Sequence, residues 1–350
     1  MHGAAEGGRM VIDCDVRSVV PGLGALRPYL DAHWRDAIDE SDFQCADEQY
    51  LLLPASPVAA SPSVVAGSTR ADVLANALER LGSNRAIVWP RLVPSNVRNP
   101  DVAAALASAC NEWQATEWLS GDDRLRGSIV IDVKQPAMAA REIDRVARRA
   151  PFAQAMLPIR SEMLYGNREM WPIYEAAVRN GVAVALHAGG RGGTAPTSSG
   201  YPSYDVETYV GMSQILESHL MNLIAEGVFD RFPDLRVALV GAGWSWLPAW
   251  MWRMDKEWKG LQREIPWVRE PPSAYMRRHM RLTLQPIDPP DDVSFLKTIE
   301  HLGSEEMLLF SSSYPEERFG SIDEALSPSL PEALRDRILE ANARDFYGFA

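Results

Sequence analysis

Four stretches of this chain stand where side chains could hold a cation, move a proton or grip an anion. The first is Asp13-Cys14-Asp15-Val16-Arg17, after the apolar pair Val11-Ile12. Side chains alternate along a strand, so Asp13, Asp15 and Arg17 are expected on one face. The second is His187, delivered by the apolar run Val182 to Leu186 and followed by a Gly-rich stretch, Gly189 to Gly193. The third is Gly241-Ala242-Gly243, and the fourth is Ser311-Ser312-Ser313-Tyr314-Pro315-Glu316. A divalent metal site needs several His and carboxylate ligands converging on one point. Only Asp15 and His187 gather here as candidate ligands for Zn, Mn or Fe, and His219 sits on a long helical stretch that leaves its direction open.

Each candidate has a plainer reading. Asp15 and His187 serve equally as structural hydrogen-bonding groups at strand ends, and Arg17 as a salt-bridged residue. Ser313 as a nucleophile needs a neighbouring base, and nothing in the sequence brings His187 to it. Glu316 is either a general acid/base or a solvated loop charge. His33, His279 and His301 read as structural, and Cys14 as strand packing. The Gly-rich stretch lacks the Lys-Ser/Thr that follows a phosphate-binding loop, which favours a plain loop.

The elements that must position these residues alternate along the chain. Strands are expected at 10–16, 86–90, 127–132, 153–159, 182–186, 236–240, 281–285 and 307–312. Helices are expected at 21–37, 71–82, 101–119, from Pro136, at 170–179, 205–227, 247–264, 292–301 and 330–344. Several strands are short apolar runs without alternation, as when both faces are buried. Parallel strands need crossovers of this kind. Eight such units predict an α/β chain: a single (β/α)8 TIM-like barrel over 10–350 behind a tail at 1–9. Residues 40–70, with Pro54, Pro57 and Pro62 among Ser and Ala, read as a long irregular insertion after the first helix. Active sites on this fold lie where strands end and loops begin, which is where the four stretches fall.

Lys plus Arg number 35 against 47 Asp plus Glu, a net charge of −12 that disfavours nucleic acid and anionic membranes as partners. The three cysteines, Cys14, Cys45 and Cys110, are too widely spaced for a zinc ribbon or a disulfide framework. With no signal-like apolar stretch near the start and no run of about 18 apolar residues, a cytoplasmic protein is expected. Five of the 11 tryptophans fall in 244–258, which reads as helix-to-barrel packing or as a subunit interface.

The segments VIDCDVR, PYLDAHWRD, VALHAGG, EGVFDRFPDLRVALVGAGWSWLPAWMWRMDKEW, LLFSSSYPEERF and ILEANARDFYGF resemble the amidohydrolase-related superfamily of metal-dependent barrels, in its aromatic-acid decarboxylase-like branch. The likeness covers most of 10–350, and it implies a barrel with a divalent metal at its mouth. Four positions depart from the family pattern. Arg17 stands where a His is usual, Ser313 where a metal-ligating catalytic Asp is usual, Glu316 where a His is frequent, and Gly241 where a Glu is frequent. Asp15 and His187 keep ligand-capable chemistry. Ser is a weak neutral ligand, and Arg has no lone pair to give. Two unit charges ~4 Å apart interact by about 4 kcal/mol at an effective dielectric of ~20, so a guanidinium beside a divalent ion costs roughly twice that.

The resemblance with its departures implies a degenerate barrel whose metal is weak or absent. It would be a non-catalytic or supporting subunit of a hetero-oligomer with a metal-competent paralogous barrel. The heteromeric 2-aminoisobutyrate hydroxylase, an oxygenase of this fold, offers one such arrangement. The alternatives are an active metal-dependent hydrolase or decarboxylase with a reduced metal site, and a barrel that binds a small carboxylate through Arg17.

Overall fold

Short apolar runs separated by amphipathic helices leave the strands no way to pair except in parallel, with each helix packed outside. The computed structural model, described here for residues 10–41, 66–190, 200–316 and 319–349, has this architecture. Eight parallel strands follow one another in sequence order: β1 (Ile12–Ser18), β2 (Arg85–Pro90), β3 (Leu125–Val130), β4 (Phe152–Arg160), β5 (Ala183–Gly190), β6 (Val237–Val240), β7 (Met280–Thr283) and β8 (Leu308–Leu309). The ring closes through the backbone: Cys14 N–H donates to Phe310 O at 2.9 Å and Arg17 N–H to Tyr314 O at 2.9 Å. The chain is an α/β barrel of the (β/α)8 type.

Two apolar layers build it. Outside the sheet, Val16, Val88, Ile129, Leu157, Leu186 and Leu239 pack against the helices. Inside, Ile12, Cys14, Ile87, Ala183, Ala185, Ala238 and Val240 fill the bore, and Phe346 and Tyr347 of the helix Asn342–Tyr347 join the same cluster. Tyr347 Oη also donates to Gln154 Oε1 at 2.8 Å. The final helix therefore forms the floor of the barrel and leaves the opposite end, where the strands finish, as the mouth.

The helices start and stop as the sequence signals. Asn99 caps the helix Pro100–Trp113 by accepting from Asp101 N–H, and the helix Trp171–Asn180 ends at Gly181. Residues 42–65 of the expected 40–70 insertion, the N-terminal tail and residues 191–199 of the Gly-rich loop lie outside the described residues. Among the described residues no helix is long and apolar enough to cross a membrane.

The clearest difference from the sequence reading is in β1. The strand starts and ends two residues later than expected, and its pairing with β2 slips between Asp13 and Val16. A bulge of this kind places an extra residue on one strand and breaks strict alternation. Ile12 and Cys14 lie in the bore cluster, which turns Asp13 away from it, while Asp15 contacts Trp89 inside the mouth. The expectation that Asp13, Asp15 and Arg17 share one face is therefore corrected: Asp15 and Arg17 go together, and Asp13 does not.

Candidate active site

Asp15 is the centre of the mouth. It is fully buried, and each carboxylate oxygen accepts one hydrogen bond: Oδ1 from Trp89 Nε1–H at 2.8 Å and Oδ2 from Ser313 Oγ–H at 2.8 Å. His187 lies beside it, with Nε2 at 3.9 Å from Asp15 Oδ1, too far for a hydrogen bond. The His187 ring packs on Trp89 with centroids 3.8 Å apart. Arg17 pairs with Trp89 across the β1–β2 ladder and lays its guanidinium over the indole, 5.4 Å from the ring centroid. Cations sit well there because the face of an aromatic ring is electron-rich.

Glu316 closes the group from above. Arg17 Nη1 donates to its Oε2, and Arg91 Nη1 lies 3.5 Å from its Oε1. Burial pushes the Glu316 carboxyl up, but the Arg17 and Arg91 charges outweigh it and hold the group below the usual carboxylate range. Burial and the Arg17 charge together drive His187 well below the ordinary imidazole value, so its ring is neutral at pH 7. Gly241 has a left-handed backbone, and a Cβ there would lie 4.0 Å from Arg17 Nη2, so its bare Cα leaves space over the guanidinium.

The loop that carries Ser313 is held under strain. Ser313 has φ of 59°, the left-handed region that costs an L residue ~1–2 kcal/mol. Four bonds fix it: Ser312 N–H to Asp13 Oδ1 at 2.9 Å, Tyr314 N–H to Ser312 Oγ at 3.0 Å, Glu316 N–H to Ser313 O at 2.8 Å, and the Ser313 hydroxyl to Asp15. Tyr314 Oη also donates to Asp72 Oδ2 at 2.7 Å, and Asp72 accepts Gly67 N–H at 2.6 Å. Gly67 has φ of +81°, and a Cβ there would come within 2.7 Å of Arg17 O. Only glycine lets this loop lie against the end of β1.

The remaining candidates separate from the centre. Asp13 is buried, its Oδ2 has no hydrogen-bond partner among the described residues, and burial raises its pKa to about 7. Burial raises the Cys14 thiol well above its ordinary range, in keeping with a packing role. His219 accepts Tyr165 N–H at Nδ1 (3.3 Å) and contacts Ile159 O through Nε2 at 2.7 Å, so it is structural. His279 contacts Leu235 O at 2.9 Å and stacks on Phe229. Trp244 is buried against Phe295, Trp246 and Trp258 bond to backbone carbonyls, and Trp250 is half-buried, while Trp252 is 54% exposed.

Trp89 and Arg91 were missed by the sequence reading. Both follow from its own logic, since they stand at and just beyond the end of β2, a strand end that was passed over. Trp89 and His187 also border a narrow apolar cleft of about 20 Å³, room for about one water molecule, whose other walls are Leu92, Val93, Pro94, Val130, Ile131, Met156 and Pro158.

At the mouth, the donors among the described residues do not fit a divalent cation. Among the described residues, no three His, Cys, Asp or Glu side chains converge on one point. Asp15 has both oxygens engaged by Trp89 and Ser313, and the positive charge of Arg17 already stands close enough to depress His187.

A family model described as "Amidohydrolase" matches residues 90–349. The chain is 24% identical over 268 residues to a gamma-resorcylate decarboxylase from Polaromonas sp. (strain JS666), spanning 69% of this chain and 76% of that one. The crystal structure of 5-carboxyvanillate decarboxylase from Sphingomonas paucimobilis superposes with a TM-score of 0.72 at 20% identity, covering 98% of this chain and 100% of that one. A dihydroxybenzoic acid decarboxylase from Polaromonas sp. JS666, solved with bound manganese, gives 0.70 at 19% identity, with 97% of each chain covered. These relatives overturn the expectation of a non-catalytic supporting subunit beside an oxygenase. They are decarboxylases, matched across most of their length, and they favour the catalytic alternative.

Proposed function

Since the chain belongs to the amidohydrolase family, we propose that it is a decarboxylase of a small aromatic carboxylic acid, working from a reduced site. The observation that carries this reading is the Arg17 guanidinium on the face of Trp89, its side chain only 11% exposed, beside an apolar cleft. A buried guanidinium is a fixed fork for a carboxylate. The cleft walls match the ring that carries it in polarity, and the cleft must widen to admit it.

The reaction needs one proton delivered to the ring carbon that bears the carboxylate. The carbon–carbon bond then breaks, its electron pair restores the aromatic ring, and CO2 leaves. His187 is the group we assign to that proton. Burial and Arg17 keep the ring neutral at rest. The proton therefore comes from hydronium in the solvent through the minor imidazolium form, whose depressed basicity makes it a strong acid toward the ring carbon. Asp15 holds the Trp89 indole in place, and Arg17 holds the carboxylate. No step is assigned to a metal, because among the described residues the donors do not converge on one.

The test is turnover of gamma-resorcylate and 5-carboxyvanillate by the purified chain, followed as CO2 release with product identified by chromatography. Arg17→Gln should lower kcat/KM by about 100-fold, the worth of a charge-assisted pair at ~2–3 kcal/mol. Retention of wild-type kcat/KM in that variant, or failure of the wild type to decarboxylate any aryl carboxylate, sinks the reading.

A further inference from the structure

Arg17 and Arg91 already share a carboxylate. Each oxygen of Glu316 faces a different guanidinium, Oε2 that of Arg17 and Oε1 that of Arg91. This is the contact pattern an incoming carboxylic acid would make, with two oxygens facing two cations. The two sides of the pair are not equally fixed. Arg17 belongs to β1, has its backbone in the ladder and rests on Trp89. Glu316 belongs to the loop beyond β8, and its side chain is 36% exposed. When such a pair separates, the loop carboxylate moves into water and the strand guanidinium stays.

We infer that Glu316 is an internal stand-in for the substrate carboxylate, occupying the Arg17–Arg91 fork at rest and displaced by the ligand on binding. This rests on the decarboxylase reading for the ligand class, a small aryl carboxylate, but not on turnover. The stand-in has two consequences. It keeps the buried Arg17 guanidinium beside a full negative charge when no ligand is bound, which lowers the cost of burying it. It also sets a threshold, because a ligand must outcompete a carboxylate held at high local concentration.

The experiment is titration calorimetry of the full chain with benzoate, and with benzamide as a neutral ring of the same shape. The wild type and Glu316→Gln are compared at one ionic strength. Glu316→Gln removes the competing charge and keeps the side chain's size. Benzoate should bind the variant at least tenfold tighter than the wild type, and benzamide should bind both alike. Thermal unfolding guards against a folding artefact: the variant should melt lower than the wild type without ligand, and benzoate should raise its Tm by more than it raises that of the wild type. Weaker or unchanged benzoate binding in Glu316→Gln overturns the inference, because Glu316 would then organise the fork and not occupy it. Undetectable benzoate binding in both proteins overturns it as well. The decarboxylase reading stands or falls separately, on CO2 release by the wild type.

Discussion

Replacing Ser313 by Ala and by Gly separates two energies stored at one residue. The alanine variant loses the hydroxyl bond to Asp15 Oδ2 and keeps the left-handed backbone. A hydrogen bond to a carboxylate contributes ~1.5–3 kcal/mol, and Asp15 is fully buried, so no water replaces the donor. Ser313→Ala should therefore cost about 2–3 kcal/mol. The glycine variant loses the same bond but relaxes the backbone, which returns ~1–2 kcal/mol. Its freer unfolded chain takes back ~0.4–1 kcal/mol of that. Ser313→Gly should thus cost up to about 1.6 kcal/mol less than Ser313→Ala, centred on ~0.8 kcal/mol. Urea unfolding at constant m gives both numbers from the midpoints. If the glycine variant is less stable than the alanine one, no strain is stored at Ser313. If Ser313→Ala lies within ~0.5 kcal/mol of the wild type, the range of an ordinary surface substitution, the buried bond to Asp15 is worth nothing.

Two further predictions follow from charge. Arg17→His combined with Ser313→Asp adds two donors near Asp15 and His187 and removes the guanidinium, so the double variant should retain stoichiometric Mn or Zn by elemental analysis; metal at that level in the wild type, or none in the double variant, refutes the account of the site. Asp13 titrates near pH 7 in the fold and near pH 4 when unfolded, so the folded state holds its proton more tightly. That contribution to stability is fully present below about pH 4 and is lost as pH rises through about 7. Asp13→Asn keeps an acceptor for Ser312 and cannot ionise, so it should raise the urea midpoint more at pH 8 than at pH 5, and an equal change at both refutes it.

The barrel was readable from spacing because its information is local. Apolar runs, Asn180-Gly181 and Pro136 each mark an element through contacts within a few residues. Asp15, Arg17, His187, Ser313 and Glu316 were placed at strand ends by the same logic, and the structure gathers them at one mouth. What could not be read depends on pairing between distant strands. The bulge that parts Asp13 from Asp15 is a property of the β1–β2 register, and the left-handed Ser313 of bonds to Asp13 and Asp15 nearly 300 residues away. The functional expectation failed for a different reason. It treated departures from a metal pattern as loss of chemistry, and ranked the use of the Arg17 guanidinium as a carboxylate anchor below the supporting-subunit reading. The tryptophan cluster at 244–258 is mostly interior packing, so only the exposed Trp252 reports cleanly on an assembly there.

The floor of the barrel sets a schedule for synthesis. Phe346 and Tyr347 share one apolar cluster with Ile12 and Cys14. The first strand of the barrel therefore has to wait for the helix Asn342–Tyr347 before its inner surface is covered. Until then a nascent ring of small apolar side chains lies open to water and to other chains. Contacts so far apart in sequence are slow to form, so the unfinished barrel exposes aggregation-prone surface that the finished one has covered.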